Sequence, residues 1–97
     1  MGSEVENSDL LLQNPEGVYR KEEDGAYLFD PDTGKLKYIN RTGADIYDLC
    51  DGKTNVGDII RRFQEQYPEV TTKRIEEDIR GYLEDLIGST FLQKRAI

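Results

Sequence analysis

The sequence predicts an α+β fold of winged helix-turn-helix type, a three-stranded antiparallel sheet followed by three helices. Three observations carry that expectation. Two turn signals, Asp24-Gly25 and Pro31-Asp32-Thr33-Gly34, separate three β-prone runs between Val18 and Ile39. Beyond Asn40 the apolar residues change from alternation to helical spacing. Capping residues and Pro68 then divide that second half into three helical segments.

The strands come first. "GVYRKEE" leads into Asp24-Gly25, whose residues tolerate positive φ, and "AYLFD" follows as the middle strand. Pro31 is preset for the first corner of the next turn, and Gly34 is free to turn left-handed. "KLKYI", residues 35–39, is the third strand and lies at an edge of the meander. Asn40 can accept from the first free N–H groups of a helix running from about Arg41 to Cys50, with Ile46, Leu49 and Cys50 on one face. Gly52 is expected to end that helix as a left-handed cap. Asn55 and Asp58 form a capping box with Asp in place of Glu, and Val56, Ile59, Ile60, Phe63 and Tyr67 follow at helical spacing. Thr71 or Thr72 opens the third helix, whose apolar stripe is Ile75, Ile79, Tyr82, Leu83 and Leu86. Phe91 and Leu92 return to the core. Residues 1–14 are polar and acidic except for Leu10-Leu11-Leu12, so they are expected to be a disordered tail, its leucines free to dock on a domain spanning 15–97.

Composition narrows the chemistry. With 97 residues there is room for one domain, and 36% hydrophobic against 34% charged residues leaves a lean core. The net charge of −7 opposes binding to nucleic acid, because that affinity rests on Lys and Arg neutralising phosphates. One cysteine and no histidine exclude an internal disulfide and a Cys/His metal cage, and a lone thiol fits a reducing cytoplasm. No apolar run approaches the ~18–20 residues that span a bilayer, and the N-terminus has no signal-peptide pattern. No membrane, metal or cofactor is therefore expected.

Catalytic readings fare poorly one by one. Cys50 lies on an apolar face with no histidine to activate it, so it reads as a core cysteine. "DPDTG", residues 30–34, lacks the glycine and glutamate positions of a calcium loop and reads as a hairpin turn. "GKT" at 52–54 lacks the earlier glycine of a phosphate-binding loop, because Tyr47 occupies its place. "NRT" at 40–42 is an accidental glycosylation sequon at a helix cap. Glu76, Glu77 and Asp78 open a helix beside Lys73, Arg74 and Arg80, which suits a solvated face better than a catalytic carboxylate pair. A DNA-reading third helix would be basic, yet positions 71–87 hold three Lys/Arg and five Asp/Glu. What remains is a surface: the strand at 35–39 has Leu36 and Tyr38 facing one way and Ile39 the other, with Lys35 and Lys37 blunting unwanted pairing. Such an edge can accept a guest peptide as an added strand.

"YINRTGADIYDLCDG", residues 38–52, followed by "TNVGDII", resembles the PqqD family, named for pyrroloquinoline quinone biosynthesis protein D, whose domain is also called the RiPP recognition element. The resemblance rests on Ile39-Asn40, Thr42-Gly43-Ala44, Ile46-Tyr47-Asp48-Leu49 and Cys50-Asp51-Gly52, then Thr54, Val56 and Asp78, and it covers residues from about 15 to 93. It implies a non-catalytic, cytoplasmic adaptor or peptide chaperone. Such an adaptor binds the leader of a ribosomally made precursor peptide and presents it to a modifying enzyme, often a radical SAM protein. The pathway need not make pyrroloquinoline quinone. The leader would add to the third strand at Leu36, Lys37, Tyr38 and Ile39. Arg74, Asp78 and Tyr82 of the third helix would form the other wall, with Ile75 and Ile79 as the groove floor. Two rivals stay open: a winged-helix DNA-binding regulator, and a small enzyme dependent on Cys50 or a carboxylate.

Overall fold

The computed structural model describes residues 5–95. Six strands and three helices follow in the order β1 (Leu10–Gln13), β2 (Val18–Lys21), β3 (Gly25–Phe29), β4 (Leu36–Asn40), α1 (Arg41–Asp48), β5 (Asp51–Asn55), α2 (Val56–Gln66), α3 (Thr72–Gly88) and β6 (Leu92–Lys94). The α+β class and the three helices match the expectation. The meander is present as the sheet β2-β3-β4, with β4 at its edge. Its register runs Val18↔Phe29 and Tyr27↔Tyr38 across the middle strand. Ala26, Leu28 and Ile39 turn inward to the core.

A second antiparallel sheet, β5-β1-β6, was not foreseen. It corrects the disordered-tail expectation from Val5 onward, while residues 1–4 lie outside the described residues. Leu10–Gln13 is the central strand of this sheet, and Leu11 is only 1% exposed. The apolar run docks because it has partners on both sides: Leu10↔Asn55 and Leu12↔Asp51 on one, Leu11↔Lys94 and Gln13↔Leu92 on the other. Strand β5 reads Asp-Gly-Lys-Thr-Asn, which has no local β preference, so its pairing is imposed from outside the segment. Gly52 does take positive φ (+78°), but within β5, where a Cβ would stand 2.5 Å from Leu12 Cδ2. Helix α1 therefore stops at Asp48 rather than Cys50, and its C-cap is Leu49.

The helix starts are where the side chains place them. Asn40 Oδ1 accepts from Gly43 N at 2.8 Å, Asn55 Oδ1 from Asp58 N at 2.8 Å, and Thr71 Oγ1 from Arg74 N at 3.2 Å. Only half of the expected capping box at Asn55 forms, because the Asp58 carboxylate pairs with Arg61 instead. The 30–34 segment is a turn closed by Gly34 N donating to Asp30 O at 2.7 Å. Asp30 is buried yet held ionised: burial opposes the charge, but donors from Asp32 N, Thr90 Oγ1 and Thr33 outweigh it and lower the carboxyl below its usual range. One core joins both sheets to the helices, with Leu11, Leu28, Ile59, Leu83, Leu86 and Phe91 at its centre.

Candidate functional site

The site begins at the free edge of β4. In an antiparallel ladder alternate residues of an edge strand turn their N–H and C=O groups away from the partner strand, here away from β3. Facing that edge across a hollow of about 320 Å³ is the C-terminal half of α3. The walls are Lys37, Tyr38 and Ile39 from β4, Asn40, Thr42, Gly43 and Ile46 from the strand-to-helix joint, and Tyr82 and Asp85 from α3. Lys37 Nζ and Asp85 Oδ2 span the mouth at 3.0 Å.

Further along α3 the hollow meets a second one of about 210 Å³, and the two share Thr42 and Ile46. This second hollow is strongly apolar, bounded by Phe63, Tyr67, Val70, Ile75 and Ile79, with Asp78 at its margin. The two together make one groove, mixed in polarity and open beside β4 and greasy at the start of α3.

The local reasons are legible at two residues. Gly43 lets α3 come close: a Cβ there would stand 2.8 Å from Tyr82 Oη, which donates to Gly43 O at 2.9 Å. Burial pushes the Tyr82 hydroxyl up, with Cys50, Tyr47 and Asp85 adding to the effect, so it stays protonated as a donor. The joint residue Asn40 closes β4 and caps α1 at once, which fixes the edge strand relative to the helices.

The expected site residues divide into three groups. Lys37, Ile39 and Tyr82 line the hollow beside β4, and Ile75, Ile79 and Asp78 line the apolar one. Ile75 and Ile79 are buried. Leu36 and Tyr38 belong to the edge strand with exposed side chains on the outer face of the sheet, and Tyr38 also borders the hollow beside β4. Arg74 is exposed and engaged with Asp78 at 3.2 Å, and it lines neither hollow. Sequence reasoning missed Asp85, Phe63, Tyr67 and Val70 as groove residues. Thr42 and Gly43 also line the hollow, and their adjacency to the Asn40 cap was the available signal.

Acid–base or nucleophilic chemistry has little to work with here. Cys50 is buried, its thiol pushed up to about 12 by burial first and then by the Asp51 and Asp48 charges. No helix among the described residues is long and apolar enough to cross a membrane.

Fold and groove together define a small winged-helix-like domain with an open strand edge walled by a helix. The family model described as Coenzyme PQQ synthesis protein D (PqqD) matches residues 25–92. The chain belongs to the PqqD family. Its fold is that of a solved structure of TbiB1 in complex with the TbiA(beta) leader peptide, at 21% identity and a TM-score of 0.76 over 88% of this chain and 98% of that one. A lasso peptide synthetase B1 complexed with its leader peptide is similar at 21% identity and a TM-score of 0.75, over 87% of this chain and 98% of that one. No curated protein matches the sequence.

Proposed function

We propose that this chain is a non-catalytic adaptor of the cytoplasm. It binds the leader of a ribosomally made precursor peptide as a fourth strand on β4 and presents the rest to a modifying enzyme, such as a radical SAM protein. The observation that carries this reading is the β4 edge, unpaired among the described residues, facing α3 across an open groove. Membership of the PqqD family supports it, as do two proteins of the same fold that are described in complex with leader peptides.

The chemistry follows from the walls. An added strand sits ~4.8 Å from β4 and takes main-chain hydrogen bonds from its free groups. Alternate side chains of the guest then point toward Ile39 and Tyr82, and an apolar residue reaching the start of α3 fits between Phe63, Tyr67, Ile75 and Ile79. Asp78 and Asp85 on the same wall are each already paired with a cation, Arg74 and Lys37 respectively. About five strand hydrogen bonds at ~0.5–1.5 kcal/mol net each, plus one buried anchor and less ordering costs, suit a micromolar affinity of about −8 kcal/mol. A DNA-reading role is disfavoured by the acidic α3, which carries five Asp/Glu against three Lys/Arg over positions 71–87.

The test is an NMR titration of the labelled protein with the leader of the short peptide encoded nearest its gene. Leader binding by strand addition predicts saturable shifts confined to residues 35–39 and 72–86 at micromolar peptide. Shifts centred elsewhere, or none up to millimolar peptide, would overturn it.

A further inference from the structure

The β2-β3-β4 sheet has a second face, which meets the groove only at Tyr38. A sheet with one face on the core normally presents polar residues on the other. Here the outward positions are Val18, Arg20, Tyr27, Phe29, Leu36 and Tyr38, and five of these six are apolar or aromatic. They are 51%, 41%, 38%, 66% and 50% exposed for Val18, Tyr27, Phe29, Leu36 and Tyr38. The register stacks them in two rows across all three strands, Val18-Phe29-Leu36 and Arg20-Tyr27-Tyr38. The Tyr27 and Tyr38 rings touch, their centroids 5.3 Å apart. Scattered exposed apolar residues need no explanation, but a contiguous ladder on an otherwise charged protein marks an interaction surface.

The electrostatics of the rim say what kind of partner fits. The β2–β3 turn places Glu22, Glu23 and Asp24 in one hollow with Tyr27 and Tyr38. Arg20, the one cation on the face, is paired with Glu22 at 2.8 Å. Among the described residues, no ion pair involves the Glu23 or Asp24 carboxylate. The surface is thus an apolar ladder with an acidic end. A second copy of this chain would bring another acidic turn and another net charge of −7, and an anionic lipid surface would be repelled likewise.

We infer that the outer face of the β2-β3-β4 sheet docks a protein whose own apolar patch is edged by Lys or Arg, namely the peptide-modifying enzyme. Only the identity of that partner rests on the function proposed above; the face itself meets the groove at Tyr38 alone. Leader and enzyme then hold the β4 edge and the outer face of one small sheet, which meet at Tyr38.

The experiment measures binding of the full chain to the purified modifying enzyme encoded beside its gene, by calorimetry at low and moderate salt. The double variant Val18→Thr/Phe29→Thr changes strands that do not border the groove and keeps β-compatible residues. It is expected to weaken enzyme binding about tenfold or more. The variant Glu23→Lys/Asp24→Lys keeps the ladder and is expected to weaken binding and reduce its salt dependence. Matching denaturation midpoints confirm that both variants fold, and the leader titration by NMR reports the groove independently. Loss of enzyme affinity with leader binding unchanged supports the inference. Loss of enzyme affinity when no leader binds supports the docking face and sinks the leader reading alone. Equal enzyme affinity for wild type and the ladder variant overturns the inference, as does an enzyme that fails to bind wild type. Sedimentation showing a wild-type dimer that the ladder variant abolishes also overturns it, because the face then serves a second copy.

Discussion

The two three-stranded sheets are built on opposite plans. The β2-β3-β4 sheet is a meander whose strands are neighbours in sequence, joined by a tight turn and a short loop. The β5-β1-β6 sheet takes a strand from each end of the chain and one from the middle, so its pairings span most of the sequence. The first leaves an edge and a face open; the second seals Leu11 and Leu92 against the helices. Local pairing thus forms the working surface, and non-local pairing ties the chain shut beneath it.

That division of labour is open to measurement. The largest effect is expected from Leu11→Ala in β1, which deletes a fully buried side chain and should cost about 2–5 kcal/mol in urea unfolding. A loss well under that range would make β1 an appendage rather than a tie. Next is Gly25→Ala in the meander. A Cβ there would stand 2.2 Å from Ile39 O, a backbone atom that cannot swing away, so β3 and β4 must separate at a cost of about 1–3 kcal/mol. Hydrogen exchange at residues 36–40 should quicken in this variant, whereas exchange at residues 10–13 should not.

Alkali separates the buried region in another way. The Cys50 thiol is raised from 9.0 to about 12 by burial, and the Tyr47 hydroxyl from 10.0 to about 12 by the same cause. Raised values mean that the stabilising contribution is complete below the unfolded pKa and is lost as pH climbs through the folded one. At pH 10, one unit above the unfolded thiol value, the loss from Cys50 is on the order of 1 kcal/mol. Unfolding curves at pH 8 and pH 10 read this directly, and Cys50→Ala should shrink the difference between them.

The groove variants come last in stability. Tyr82→Phe removes the donor to Gly43 O and is expected to cost about 0.5–1.5 kcal/mol while loosening the groove wall. Lys37→Ala breaks the partly exposed pair with Asp85 and should change the unfolding free energy by about 0–1 kcal/mol. A larger change would show that the pair spanning the groove mouth holds the fold, not merely the entrance.

The helix starts at Asn40, Asn55 and Thr71 were legible because capping is a contact within four residues, and the sequence contains both partners. The meander was legible for the same reason, through its two turn signals, although the first turn lies at 22–24 and Gly25 opens β3 without positive φ. The groove was partly legible. Alternation put Ile39 inward, and helical spacing put Ile75, Ile79 and Tyr82 along one stripe of α3. It could not show that Arg74, although within four residues of its partner Asp78, lies outside both hollows. Nor could it show that Phe63, Tyr67 and Val70 would close the far end.

What the amino-acid order settled alone is therefore local: turns, caps, the edge position of β4 and the buried faces of three helices. The packed chain settled the rest. Asp51–Asn55 became a strand because Leu10–Gln13 offered it a ladder, and Leu10–Gln13 became a strand because its leucines found the helices and β6. A strand's backbone groups are satisfied by a partner far away in sequence, whereas a helix satisfies most of its own. Helices can be foretold from their own residues; a sheet sewn from both ends of the chain exists only once the core has closed.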